Sequence, residues 1–436
     1  MEAIQKRLLK AAHPWWEECR KMPTKNAPSA SRPSVLEVRL SGTVIGTITN
    51  LPNDQNLFVF DAAYIADENR PVLSLSFYDA FRELRTDVRP VTRRLPPFFS
   101  NLLPEGQLRQ YIAEHGDVNA QREFFLLWLL GNDLPGAVTV HDIEGRALPP
   151  AQGTPTEVRR KVGKDVLRFS LAGVQLKLSA VGNPNRQLSI PASRQGEHWI
   201  VKLPSAAYPH LPENEYSMMQ FAREVGIQVP EVGLLPMDRI DGVPEQWRQL
   251  KGNAYYIRRF DRGAKGKRIH IEDFNQIYGQ FPEAKYKNYS YTNMAADIWR
   301  LTDETQFAEF IRRLIFNAVI GNNDMHLKNW SLIYPDGHTL ELAPAYDFVS
   351  TVRYIADDLL ALSIAKEKAI SRLDWELMER FARKAQVPSK LVLETARETI
   401  ERIMALWPTL QKELPLDRET RRLITAHMKS LPLLAR

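Results

Sequence analysis

Asp324, His326 and Asn329 lie within one short polar run, NNDMHLKN, and a second carboxylate, Asp347, follows beyond a hairpin-like segment. A carboxylate that can take a proton from an attacking hydroxyl, together with an amide oxygen and another carboxylate as hard ligands for magnesium, is the set that phosphoryl transfer requires. Taken alone, an Asp and an Asn five positions apart are more often turn residues, with a neighbouring His as a satisfied polar group. The second aspartate and the hairpin context shift the balance toward chemistry. Upstream, HWIVKLP places Lys202 between Val201 and Leu203 in an apolar stretch, where an unpaired ammonium is expensive. Glu215, early in the next helical pattern, is an available partner. The alternative is that Lys202 snorkels from an edge strand while Glu215 stabilises a helix N-terminus.

The elements that must hold these groups can be read around them. An apolar helical run ends at Gly321, the polar run follows, and WSLIY and TLELA flank a Pro335-Asp336-Gly337 turn that leads to Asp347. The step from Asp324 to Asn329 matches the catalytic-loop spacing of protein kinases, with Asp347 where their metal-binding aspartate falls. FSLAGVQLKLSA reads as two strands about a small-residue turn at Ala172 and Gly173, whose amides could cradle phosphates. It carries one glycine where the usual kinase loop has three. Further strands are expected at VLRFS, QLSI, HWIVKLP and AYYIRRF, and a helix at NEYSMMQFAREVG.

Towards the N-terminus, VLEVRL, TVIGTIT and LFVF alternate with period two, predicting antiparallel strands. A helix should start near Pro104 and Glu105 and stop at Gly116, and REFFLLWLL adds another. The Pro-, Gly- and charge-rich run 145–164 marks the main boundary. Phe307, Phe310, Ile311, Leu314 and Ile315 form a helical stripe, and 374–430 is again mostly helical. The expected organisation is an N-terminal extension at 1–33, an α+β subdomain at 34–150, a small lobe at 151–262 and a mainly helical lobe at 263–436.

Length and composition set the outer limits. A chain of 436 residues, 44% hydrophobic and 25% charged, is long enough for two or three packed domains and excludes a mostly disordered or collagen-like protein. The net charge of +6 suits phosphate or nucleic-acid ligands without selecting either. A lone cysteine, Cys19, excludes an intrachain disulfide or cysteine-rich zinc site. The longest apolar run, 124–130, is far short of the roughly 20 residues that span a bilayer. A cytoplasmic protein with no membrane partner is expected.

Several motifs, in order, resemble the HipA family of bacterial serine/threonine kinases, the toxins of toxin–antitoxin modules. They are FFSNLLPEG at 98–106, GAVTV at 136–140, FSLAGVQLK at 169–177, HWIVKLP at 198–204, NEY at 214–216, RRFDR at 258–262, KY at 285–286, IGNNDMHLKN at 320–329 and PAYDFVS at 344–350. The resemblance implies an α+β, protein-kinase-like fold of two lobes, with an N-terminal α+β subdomain and a helical C-terminal lobe. It further implies Asp324 as catalytic base, Asn329 and Asp347 as magnesium ligands, and Lys202 as the phosphate-contacting lysine supported by Glu215. The ATP loop would be Ala172, Gly173, Val174, Gln175, Leu176 and Lys177, the adenine hinge Arg258, Arg259 and Phe260, and His326 and Tyr346 further nucleotide contacts. Ser170 corresponds to an autophosphorylated serine, whose added negative charge beside ATP would silence the kinase.

The cofactors implied are ATP and Mg2+. The partners implied are a HipB-like helix-turn-helix antitoxin, operator DNA reached mainly through it, and a protein substrate in translation such as an aminoacyl-tRNA synthetase, whose phosphorylation arrests growth and favours persistence. Two alternatives stay open on the sequence: a lipid or small-molecule kinase, whose loop order is similar, and a dormant co-repressor subunit.

Overall fold

Alternation in 35–40 buries Leu36, Val38 and Leu40 and turns Glu37 and Arg39 outward, so one face of this strand must pack on a core. In the structure, a computed structural model that describes residues 34–131, 133–143, 176–184, 187–190, 196–355 and 359–435, it is the strand Val35–Leu40. It joins a five-stranded antiparallel sheet in the order Val91–Thr92, Gln55–Phe60, Thr43–Leu51, Val35–Leu40, Val138–Asp142. The sheet's apolar face packs on Phe98, Phe99 and the helix Glu123–Leu130. The helix predicted after Pro104 spans Gly106–His115, with Glu105 as its N-cap residue and Gly116 as its C-cap.

A six-stranded sheet follows, in the order Ile240–Asp241, Gln187–Ser189, Lys177–Asn183, His198–Lys202, Asn253–Arg258, Val232–Pro236. The helix Leu211–Val225 ends at Gly226, whose φ of +95° suits a residue without Cβ. Its Phe221 ring lies 5.3 Å from those of both Phe316 and Trp407, so this helix is part of the large C-terminal core.

That core is built by the helices Tyr291–Leu301, Glu304–Ile320, Trp375–Ala385, Ser389–Glu413 and Arg418–Ser430. The predicted stripe Phe307, Phe310, Ile311, Leu314 and Ile315 is fully inside. The arms about the Pro335-Asp336-Gly337 turn do pair, as Ser331–Tyr334 with Glu341–Leu342, and a third strand, His270–Asp273, flanks the first. The hairpin Leu359–Ile364 with Glu367–Ala369 carries no period-two signature, because LLALSI is buried on both faces. The result is the α+β, two-lobed, protein-kinase-like architecture with an additional N-terminal unit. The leader 1–33, the boundary run 145–164, the expected strand VLRFS, Ser170, and the turn residues Ala172, Gly173, Val174 and Gln175 lie outside the described residues.

Candidate active site

Antiparallel register places Lys177 directly opposite Lys202 on neighbouring strands. Like charges so placed repel and need an anion between them. Asp347 supplies it: its carboxylate takes Lys177 Nζ at 3.0 Å and also Lys202 Nζ, which in turn contacts Glu215. Lys202 and Glu215 are both buried, and their elements are the central strand and the helix predicted to bear them. Burial opposes the charge on Asp347, but Lys177 and Lys202 outweigh it and hold its carboxyl far below the usual range. Glu215 fares differently, with burial pushing its carboxyl up to about 6 and one oxygen left without a hydrogen-bond partner. Asp347 adopts φ +58°, a left-handed conformation unusual for a residue with a side chain and often found at functional sites.

The polar run after Gly321 is folded by its own side chains. Gly321, at φ +69°, closes the helix, and Asn322 Nδ2 donates to Asn317 Oδ1 at 2.8 Å and to the Asp347 carbonyl at 3.3 Å. Asn329 Nδ2 donates to the Asp324 carbonyl at 3.0 Å, which leaves its oxygen end for another partner. The Asp324 carboxylate accepts the Tyr286 hydroxyl. His326 is buried with neither ring nitrogen hydrogen-bonded, and burial, reinforced by Lys285, holds it neutral by pushing it well below its ordinary range. A buried imidazole with two idle nitrogens is a site awaiting a polar ligand.

These groups border a 360 Å³ cavity, a size that suits a small-molecule ligand. Lys177, Lys202, Arg258, Arg259, Phe260, His326, Asn329, Tyr346 and Asp347 line it, whereas Leu176, Glu215 and Asp324 stand outside its lining. Leu178, Ile200 and Ile257 provide apolar walls, and the Phe260 and Tyr346 rings stack at 5.8 Å. Arg258 is half exposed and pairs with Glu197 at 3.3 Å. The Arg259 guanidinium is committed elsewhere, to Asp133 at 2.8 Å and Asp261 at 2.7 Å. Asn329 and Asp347 are hard oxygen donors, the type magnesium takes, and no group of three or more His, Cys, Asp or Glu able to hold a metal occurs among the described residues. A cation here would complete its shell with phosphate oxygens and water.

Sequence reasoning passed over the contribution of the N-terminal subdomain. Glu105, read only as a helix start, bridges Lys285 at 2.9 Å and Lys328 at 2.7 Å, and all three line the cavity. Asn101 donates to the Gln280 carbonyl at 2.7 Å and accepts from Asn275 at 2.9 Å, while Gln276 donates to the Phe98 carbonyl at 3.0 Å. The Gly136 amide donates to Asp261 at 2.8 Å. Gly136 sits at φ +71° with the Ile271 nitrogen 2.9 Å from where a Cβ would lie, so close approach requires glycine. Asn101, Glu105, Gly136 and Lys285 fall in the motifs FFSNLLPEG, GAVTV and KY, whereas Asn275, Gln276 and Gln280 fall in none of the motifs read from the sequence.

Two family models match the chain: HipA-like C-terminal domain over residues 169–407, and HipA N-terminal domain over 36–141. The chain belongs to the HipA kinase family. A Sinorhizobium fredii protein named "Putative kinase Y4dM" is 48% identical over 92% of this chain and 98% of its own length. The serine/threonine-protein kinase toxin HipA of Shewanella oneidensis is 26% identical, over 94% of this chain and 96% of its own. The solved complex of Shewanella oneidensis HipA, HipB and operator DNA contains a chain with the same fold, at a TM-score of 0.70 and 23% identity, covering 91% of this chain and 96% of that one. Among the described residues, no helix of this HipA-family chain is long and apolar enough to cross a membrane.

Proposed function

We propose that this HipA-family kinase is an ATP- and magnesium-dependent serine/threonine-protein kinase and the toxin of a module with a HipB-like antitoxin. The observation that carries the reading is the Lys177, Lys202 and Asp347 cluster beside the idle His326 in one cavity. Two facing lysines, compensated by Asp347 between them and by Glu215 on Lys202, present ammoniums that phosphate oxygens can engage. In this reading Lys177 and Lys202 engage the phosphates, Ile200, Ile257 and Tyr346 flank the base, and His326 offers a ring nitrogen to the nucleotide. Magnesium, held by Asn329 and Asp347, would neutralise phosphate charge. Asp324, oriented by Tyr286, takes the serine hydroxyl proton as the oxygen bonds to the γ-phosphorus and the bond to the bridging oxygen of ADP breaks.

The domain reading that goes with it assigns 1–33 to an N-terminal extension, 34–150 to the N-terminal α+β subdomain, 151–262 to the small lobe and 263–436 to the mainly helical lobe with the catalytic loop. The antitoxin assignment is supported by the HipB and operator DNA in the related complex, and operator contact would be mainly the antitoxin's. The substrate we infer is a component of translation such as an aminoacyl-tRNA synthetase, with inhibitory autophosphorylation at Ser170.

The test compares cells expressing the wild type and Asp324→Ala by phosphoproteomics, with purified protein assayed for transfer from γ-labelled ATP. A protein phosphoserine or phosphothreonine that disappears in Asp324→Ala is expected; label recovered in lipid, or equal labelling in both, would refute the reading. Intact mass after incubation with Mg-ATP should show one phosphate that Ser170→Ala removes.

A further inference from the structure

The nucleotide-side cavity holds a second lysine pair, far from the first in sequence. Lys285 and Lys328 each give an ammonium to a different oxygen of Glu105, and Lys328 also reaches the Asn101 carbonyl at 3.4 Å. Among the described residues, Glu105 is the carboxylate in ion-pair range of either lysine. Lys328 lies next to Asn329 in the polar run, and the Leu327 amide donates to the Lys285 carbonyl at 3.2 Å, so both lysines belong to one rigid patch beside Asp324. Burial raises the Glu105 carboxyl, yet Lys328 and Lys285 outweigh it and hold it at about 2. One carboxylate therefore fixes two ammoniums on the cavity wall, where Asp273 also lies and interacts with Lys328 at longer range.

We infer that Glu105 is a positioning residue for phosphoryl transfer: it fixes Lys285 and Lys328 so that their ammoniums face the transferred phosphoryl group, and the N-terminal subdomain thereby completes the active site. The inference rests on the kinase reading above. Glu105 can do this because it is itself placed by the preceding loop, where Asn101 is bonded to Asn275 and Gln280. Without the carboxylate, the two ammoniums repel and Lys328 loses its fixed direction. A displacement of about 1 Å in such a group lowers turnover on the order of a hundredfold.

The experiment uses the full-length protein with Mg-ATP and six forms: wild type, Glu105→Gln, Glu105→Asp, Lys328→Met, Glu105→Gln combined with Lys328→Met, and Asp324→Ala. Transfer of γ-phosphate is followed at saturating ATP, with affinity for a non-hydrolysable ATP analogue and melting temperature measured in parallel. Glu105→Gln should lower kcat about ten- to a hundredfold while analogue affinity stays within about threefold, and Glu105→Asp should recover part of the loss. Combining Glu105→Gln with Lys328→Met should add little to the larger single effect, since one acts through the other. An unchanged kcat in Glu105→Gln overturns the inference, as does a kcat loss that only tracks loss of folded protein and that Asp does not recover. Failure of the kinase reading looks different: Asp324→Ala would then leave the phosphate transfer of the wild type unaltered.

Discussion

Two clusters of lysine and carboxylate contribute to the lining of one cavity, and they are held together in different ways. The Lys177, Lys202, Asp347 and Glu215 cluster sets two cations against two acids drawn from the facing strands, one helix and the loop after the hairpin, with Lys202 and Glu215 buried and Lys177 about a third exposed. The Glu105, Lys285 and Lys328 cluster ion-pairs two cations to a single acid, with Lys285 buried and Glu105 about a third exposed. Burial makes the first sensitive to the loss of any one member, because an uncompensated interior charge remains. Solvent screening makes the second weaker in stability, so its value lies in direction and field rather than in holding the fold.

The largest effect is expected from Lys202→Met. It would leave Glu215 and Asp347 carboxylates together without their shared cation and destabilise the protein by about 3–5 kcal/mol, read from a denaturant midpoint. A shift below about 1 kcal/mol would break the contrast between the two clusters. Asp347→Asn comes next, because it leaves Lys177 facing Lys202 with Glu215, paired to Lys202, as the remaining acid of the cluster. Its melting temperature should fall, and inorganic pyrophosphate should restore more of the loss than it adds to the wild type; equal response in both would show that the lysines do not need the charge. Lys285→Met should cost less than either, because Glu105 keeps Lys328 as a partner and is itself about a third exposed.

Smaller still are two pH effects of opposite sign. Glu105 is held at about 2 against an ordinary 4.5, so its contribution is present above pH 4.5 and is lost as pH falls through about 2. The Glu105→Gln variant should therefore lose less stability than the wild type over that acid window. Glu215, pushed to about 6, retains its proton better when folded, so stability falls as pH rises from 4.5 through about 6. Glu215→Gln should flatten that slope. Melting curves at stepped pH check both, and parallel slopes for wild type and variants would remove the electrostatic distinction drawn between the clusters.

The first cluster was partly legible before any coordinates because each member lies in a pattern with local meaning. Lys202 interrupts an apolar strand, Glu215 opens the next helix, and Asp347 follows a hairpin whose turn residues are explicit. What local pattern could not supply was that Lys177, taken only as the end of a loop motif, would face Lys202 in register. Strand pairing is a non-local choice, and a shift of one residue would have sent that side chain to the other face. The short strand Leu359–Ile364 escaped for a related reason, since burial on both faces erases the alternation that marks a strand.

Chain chemistry alone settled which residue types could carry phosphoryl transfer, the alternation and helical stripes that build the α+β elements, and the order of motifs along the chain. These depend on neighbours within a turn or two, which the sequence states directly. Packing decided the rest: that Glu105 meets lysines 180 and 223 residues away, and that Gly136 admits the Ile271 backbone. Packing also left His326 beside the cavity with both nitrogens idle. Ion pairs and desolvation act through space, and only the folded chain brings those partners within reach.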